Sequence, residues 1–311
     1  LIYKIMRDAG RKVSLGGNIG ESFAYSVATE KNFWYVLELS SFQLDGMTKF
    51  RADVGVLMNI TPDHLDRYDY KFENYAASKM RITQNQSSAD AFIYSADDDM
   101  TRQMLDKMDS SLRARQLPFA INTAIASGDG DAVLEGYTFT ASVGKQSVTI
   151  DTRKMQIHGM HNIYNAMAAA LATLAAGVEP RVIKRSIYDF SPVEHRLEPA
   201  GERNGIRWIN DSKATNVDSV WYALESMQQP TVWIAGGTDK GNDYTPLKEF
   251  ARRKVKALIC MGLDNAKLKR DFDGIIPVIE DCSSLDEAMR AAERHATEGD
   301  TVLLSPACAS F

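Results

Sequence analysis

Apolar and polar positions alternate along this chain in blocks that read as strands followed by helices. The run Trp34-Tyr35-Val36-Leu37 is continuously apolar and of strand length, which predicts a strand buried on both faces of a parallel sheet. It ends at Glu38, and Val54 to Ile60 ends in the same way, at Thr61-Pro62-Asp63-His64. Ligands of open α/β sheets bind beyond the carboxyl ends of the strands, so two adjacent ends are expected to bring Glu38 and His64 to one crevice. A helix follows in which Phe72, Tyr75, Lys79 and Ile82 share a stripe, placing Lys79 on the inward face. The residues alone leave two readings of Lys79. Its stem can snorkel to water, which is the ordinary outcome, or burial can favour a neutral amine able to act as a nucleophile or to take up carbon dioxide as a carbamate.

Elsewhere the pattern predicts an opening helix that stops at Gly10, a strand at 13–15 and a Gly16-Gly17-Asn18-Ile19-Gly20 loop. Strands at 91–94 and 119–121 flank a helix over 99–115, and residues 133–150 alternate as an antiparallel ribbon. His161-Asn162-Ile163-Tyr164-Asn165 opens an alanine-rich helix ending at Gly177, with Asn162 and Asn165 on one face. Those two asparagines can read an amide or base edge, or Asn162 can cap the helix while Asn165 is solvated.

A composition break at Ser191-Pro192-Val193-Glu194-His195-Arg196 predicts a hinge, giving domains 1–192 and 193–311. Beyond it, strands at 207–210, 231–235, 257–261, 276–279 and 301–304 alternate with helices, a second doubly wound unit. Three polar clusters end its strands: Asn210 to Asn216, Gly236 to Gly241, and Ser305 to Ser310. One of them alone is explained by a turn or by Asp211 or Ser212 capping a helix; three at one sheet edge predict a binding site. Asp97-Asp98-Asp99 reads as a helix start, and His295 as a solvated residue of a polar helix end.

With 311 residues, 44% hydrophobic and 25% charged, the chain has room for two globular cores. A net charge of −5 gives no reason to expect nucleic acid or an anionic membrane as partner. Cys260, Cys282 and Cys308 show no metal or pairing spacing, which fits buried thiols in a reducing compartment. No apolar run reaches membrane-spanning length and no signal peptide is evident, so a cytoplasmic protein is expected. The chain opens inside a helical pattern and stops just past a strand, so it is expected to be an internal part of a longer protein.

Several of these stretches together resemble the Mur ligase family: Leu37-Glu38-Leu39-Ser40-Ser41-Phe42-Gln43-Leu44, Asn59 to Tyr68, Lys79-Met80-Arg81-Ile82, His161 to Asn165, His195-Arg196-Leu197-Glu198, Asn210 to Asn216 and Ser305 to Ser310. They occur in family order over nearly the whole chain, and the Ser40-Ser41-Phe42-Gln43 and Ser212-Lys213-Ala214-Thr215-Asn216 stretches resemble the D-glutamate-adding member most. The resemblance implies a central ATPase-type α/β domain with a mostly parallel sheet and a small antiparallel ribbon, then a Rossmann-like domain. It implies an ATP-dependent ligase that joins D-glutamate to UDP-N-acetylmuramoyl-L-alanine through an acyl phosphate. Glu38 would hold one Mg2+, and His64 with a carbamylated Lys79 the second. Asn18, Ser40 and Gln43 match contacts to the nucleotide-sugar substrate, Asn162 and Asn165 match adenine contacts, and Arg196 and Asp211 match further ATP contacts. Lys213, Thr215, Lys240 and Ser310 match the D-glutamate pocket, and closure of the second domain onto the first would assemble the site. The family's glycine-rich phosphate loop and uridine-binding domain would precede Leu1, and a tail would follow Phe311. Residues 1–311 alone are therefore expected to be inactive, and the whole protein to act as a monomer. Other readings are a sister or folylpolyglutamate-type ligase with another amino acid, and a non-catalytic nucleotide-binding module.

Overall fold

The computed structural model describes residues 1–108, 112–125, 128–191, 194–239, 241–262 and 264–308. It divides into two compact units, residues 1–191 and 192–311. Pro192 and Val193 of the expected hinge lie outside the described residues. Among the described residues no helix is long and apolar enough to cross a membrane.

The first unit contains strands β1 (Val13–Gly17), β2 (Trp34–Glu38), β3 (Val54–Leu57), β4 (Ala91–Ser95), β5 (Arg115–Ala120), β6 (Gly130–Glu135), β7 (Thr138–Val143) and β8 (Gln146–Asp151). Its helices are α1 (Ile2–Asp8), α2 (Phe23–Thr29), α3 (Ser41–Asp45), α4 (Phe72–Met80), α5 (Asp99–Met108), α6 (Met160–Ala175) and α7 (Pro180–Tyr188). One sheet runs β3-β4-β5-β6-β7-β8, parallel through β6 and antiparallel from there on, so the expected ribbon is present. Helix α6 has every residue from Ala166 to Leu174 buried. Small alanines let its backbone lie close to its neighbours, and Thr173 satisfies its hydroxyl on the Ala169 carbonyl at 2.7 Å.

Two expectations change here. Strand β2 pairs in parallel with β1 in a separate two-stranded sheet, not beside β3, and Trp34 to Leu37 are half-buried rather than covered on both faces. An apolar run records that a strand is sheltered; it does not say which strand it pairs with. Trp34 packs on the main core, while Tyr35 meets Phe23 of α2 edge-on at 5.2 Å and donates its hydroxyl to the Glu30 carbonyl at 3.2 Å. Helix α5 also stops by Met108, and Arg115, expected at its end, opens β5.

The second unit contains β9 (Glu198–Arg203), β10 (Ile206–Asn210), β11 (Thr231–Ala235), β12 (Val255–Met261), β13 (Ile279–Cys282) and β14 (Thr301–Leu304). Helices α8 (Val217–Ser226), α9 (Lys248–Lys254), α10 (Ala266–Phe272) and α11 (Leu285–His295) connect them. The sheet order is β13-β12-β11-β14-β10-β9, parallel except for β9. Strand β11 is buried at all five positions, as a central parallel strand should be. Strand β13 lies three residues later than expected, because Ile276 closes the turn after α10 through its N–H to the Phe272 carbonyl at 3.1 Å.

Candidate active site

The exit of β1 fixes the first group. Gly17 has φ +101°, and a Cβ there would stand 2.3 Å from the Glu38 carbonyl oxygen, so only glycine lets the two strand ends approach. Asn18 N–H donates to that carbonyl at 2.7 Å, and the Asn18 amide to the exposed Glu38 carboxylate at 3.3 Å. Two residues on, Ser40 and Gln43 form a capping box at the start of α3, with Gln43 N–H on Ser40 Oγ at 3.3 Å and Ser40 N–H on Gln43 Oε1 at 2.9 Å.

Helix α3 then presents Phe42 to His64, whose ring stands edge-on to it at 5.1 Å. His64 itself is left-handed (φ 52°), a costly conformation for a residue with a side chain. Its N–H is held by Asp63 Oδ1 at 2.8 Å. Phe42 stacks on Tyr68, which meets Tyr75 of α4 at 5.4 Å. Lys79 places its ammonium 5.1 Å from the Tyr75 ring centre and 3.5 Å from the Asn59 carbonyl. His64 and Lys79 thus border one aromatic cluster, half-buried rather than sealed. Burial pushes the Tyr75 phenol up, and the nearby Asp63 charge adds to this.

The Asp63 carboxylate beside His64 and the Asn59 carbonyl beside Lys79 supply oxygen donors at this corner, while Glu38 meets Asn18 at the exits of β1 and β2. Among the described residues no three His, Cys, Asp or Glu side chains converge. Carboxylate and carbonyl oxygens are donors that suit Mg2+, which is commonly held by one or two carboxylates plus phosphate oxygens. The carbonyl and ring face around Lys79 suit an ammonium.

At the start of α6 the N-cap is Gly159, φ +92°, not Asn162. Asn162 donates to the His158 carbonyl at 2.8 Å, and Asn165 donates to Asn162 Oδ1 at 3.4 Å, so the two amides do share a face.

In the second unit three strand-end loops are tied to one another. Asp211 is only 5% exposed and accepts from Ser305 Oγ at 2.8 Å and from Leu197 N–H at 3.1 Å. Neither it nor Ser212 caps a helix; Asn216 caps α8, accepting Ser219 N–H at 2.9 Å. Burial pushes the Asp211 carboxyl up to about 6, against the opposing pull of those bonds and of the Arg196 charge. Ala307 N–H reaches the Ala214 carbonyl at 2.9 Å and Gly236 N–H the Pro306 carbonyl at 2.9 Å. Lys213, Thr215 and Arg196 are exposed around this edge. Lys240 and Ser310 lie outside the described residues.

Sequence reasoning missed Tyr244. Its hydroxyl donates to Asp239 Oδ2 at 2.8 Å and lies 3.1 Å from Cys308 Sγ, joining two of the loops. No spacing marks such a residue in advance. His295 is not solvated as expected but lies 2.8 Å from Glu280, across α11 and β13. All three cysteines are buried and free, as expected. A cavity of about 450 Å3 beyond β12 and β13, lined by Asn265, Lys269, Asp281 and Glu287, contains none of the candidate residues.

Residues 1–173 match the Mur ligase middle domain, and residues 195–308 the Mur ligase glutamate ligase domain. The chain belongs to the Mur ligase family. Over 312 aligned residues it is 49% identical to the UDP-N-acetylmuramoylalanine--D-glutamate ligase of Bacteroides fragilis, covering 100% of this chain and 69% of the relative. The enzyme of the same name from Christiangramia forsetii is 46% identical, again over 100% of this chain and 69% of the relative. Among solved structures, a pseudomurein peptide ligase type C from Methanothermus fervidus shares the fold with a TM-score of 0.69 at 17% identity, over 97% of this chain and 72% of that one.

Proposed function

We propose that this chain carries the catalytic and amino-acid-accepting parts of an ATP-dependent, ADP-forming ligase that adds D-glutamate to UDP-N-acetylmuramoyl-L-alanine. The observation that carries the reading is identity of 46–49% over the entire chain to ligases of that name, and the geometry beside it is compatible. The γ-phosphoryl group of ATP passes to the substrate carboxylate and ADP departs. The amine of D-glutamate then attacks the acyl carbon, phosphate leaves, and the amine loses its proton. Little covalent work falls to the protein, so positioning and charge neutralisation carry the rate.

Asn162 and Asn165 read the adenine edge, with Asp211 and Arg196 on the rest of the nucleotide. Asn18, Ser40 and Gln43 face the nucleotide sugar; for Ser40 and Gln43 the capping box orients the pair but also occupies part of their hydrogen-bonding capacity. Lys213, Thr215, Lys240 and Ser310 take the incoming amino acid, the lysines pairing its carboxylates. Glu38 would hold one Mg2+ ion, and His64 with a carbamylated Lys79 a second, and these ions would neutralise the phosphate oxygens. The cytoplasmic, monomeric setting belongs to the same proposal.

The test is ADP release by the full-length protein given the L-alanyl precursor with D- or L-glutamate. Turnover with D-glutamate and at least about 100-fold less with L-glutamate is expected, since the wrong enantiomer cannot bring both carboxylates to their cations and its amine to the acyl carbon together. Equal rates, or none with either, would end the reading.

A further inference from the structure

The acidic run Asp97-Asp98-Asp99 reads in sequence as a helix start, and Asp98 does that work, accepting Thr101 N–H at 2.7 Å. Asp97 does something else. It leaves the end of β4 and gathers the loop that follows β5: Ile121 N–H at 2.6 Å, Thr123 N–H at 2.7 Å and Asn122 N–H at 3.1 Å all donate to its carboxylate. A fourth donor comes from another element, the Tyr164 hydroxyl of α6, at 2.7 Å. Burial opposes its ionisation, yet these four donors outweigh that and hold its carboxyl below the usual carboxylate range.

Tyr164 adjoins Asn165 and lies two residues after Asn162. Its ring packs on the buried Phe119 of β5 at 6.0 Å, so ring and hydroxyl both fasten the second turn of α6 to the β4 and β5 strand ends. Gly159 provides no side-chain cap to the first turn, which Ile163 packs against the core and Asn162 ties to the His158 carbonyl at 2.8 Å. We propose that Asp97 is a positioning residue for nucleotide selection, acting through the Tyr164 hydroxyl to fix the orientation in which Asn162 and Asn165 meet the base. This rests on the adenine reading of those two asparagines.

A base-reading pair that is free to rock by a fraction of an ångström loses discrimination before it loses the triphosphate, whose binding depends on other groups. Tyr164→Phe keeps the ring and removes only the tie; Asp97→Asn keeps the shape but turns one of the two accepting oxygens into an NH2 group that cannot accept, so the bonds at that atom are lost. The experiment compares KM for ATP and GTP, and kcat at saturation, in the full-length ligase, with Asn165→Ala as the reference. Tyr164→Phe is expected to raise the ATP KM about fivefold and to lower the ATP-over-GTP preference by a similar factor, with kcat within about twofold. Asp97→Asn should do the same or more, and the double variant no more than Asp97→Asn alone. If Asn165→Ala collapses the preference while both other variants keep it, whatever happens to their melting temperature, the positioning role is overturned and the adenine reading stands. If Asn165→Ala also keeps the preference, the adenine reading fails and takes this proposal with it.

Discussion

The two units solve the same problem differently. In the first, His64 and Lys79 border one aromatic cluster, Glu38 meets Asn18, and all three remain accessible. Glu38 is exposed and His64 and Lys79 are half-buried, with an aromatic edge against His64 and a ring face and a carbonyl near Lys79. In the second, the strand-end loops are laced together and Asp211 is sealed beneath them. Backbone strain occurs in both units, at left-handed His64, Asp69 and Tyr70 in one and at His195, Leu197, Asn204 and Ala307 in the other. Under the proposed roles, side chains that take charge from an incoming phosphate or cation would gain from staying open to it, and loops that hold a small amino acid would gain from being set in advance. The observed cost of the tied loops is a raised Asp211 carboxyl pKa.

The largest effect that separates these designs is expected at Lys79. Lys79→Ala in the full-length enzyme should lower kcat by about a thousandfold or more, in the range seen when one transition-state charge partner is removed. Under the carbamate reading, a short carboxylate such as formate restores part of the rate by standing in for the lost oxygen ligand. Loss of rate without rescue would leave Lys79 acting as the ammonium that its present neighbours suit, and would retire the carbamate.

The second unit should instead show its design as a pH dependence. The Asp211 carboxyl stands at about 6 against an ordinary value of 3.8. Between those values the folded chain holds a proton that the unfolded chain has released, so this group's contribution favours folding below about pH 4 and is lost as pH rises through about 6. The difference is worth on the order of 3 kcal/mol before discounting for relaxation. Under the proposed nucleotide contact, function runs the other way, because a carboxylate that accepts from the nucleotide must be ionised. The ATP KM should fall about tenfold from pH 5 to pH 7, and the Asp211→Asn enzyme should show a flat profile. A wild-type inflection that survives in Asp211→Asn would assign the titration elsewhere.

The same contrast explains what the sequence disclosed. Strand ends, helix identities and the Asn162–Asn165 face follow from period and punctuation, which are local. Pairing is not local: nothing in Trp34 to Glu38 announces β1 as its neighbour, and that choice moved β2 away from the side of β3. Strand β9 was missed although the chain carried its signal. Asn204-Gly205, both with positive φ, is a favoured two-residue hairpin turn, but Pro199 to Arg203 is exposed throughout and lacks the alternation that marks a half-buried strand. Tyr244 and Asp97 were illegible for another reason. Each acts by joining segments far apart in the chain, and a residue's type gives no hint of a partner 60 or more positions away.

The smallest expected effect bears on how much the open corner depends on backbone approach. Gly17→Ala adds a methyl group 2.3 Å from the Glu38 carbonyl at φ +101°, so β1 and β2 must part at their ends and the Asn18–Glu38 contacts must lengthen. Gly136→Ala is the matched control: φ +59°, with nothing within 4 Å of the added atom. The control should cost about 1 kcal/mol of stability, from the left-handed backbone alone. Gly17→Ala should cost about 2–3 kcal/mol and raise the KM for the nucleotide-sugar substrate about threefold, with kcat little changed. Equal melting temperatures for the two variants would mean that the β1 exit yields freely, and that Asn18 reaches Glu38 without needing glycine beside it.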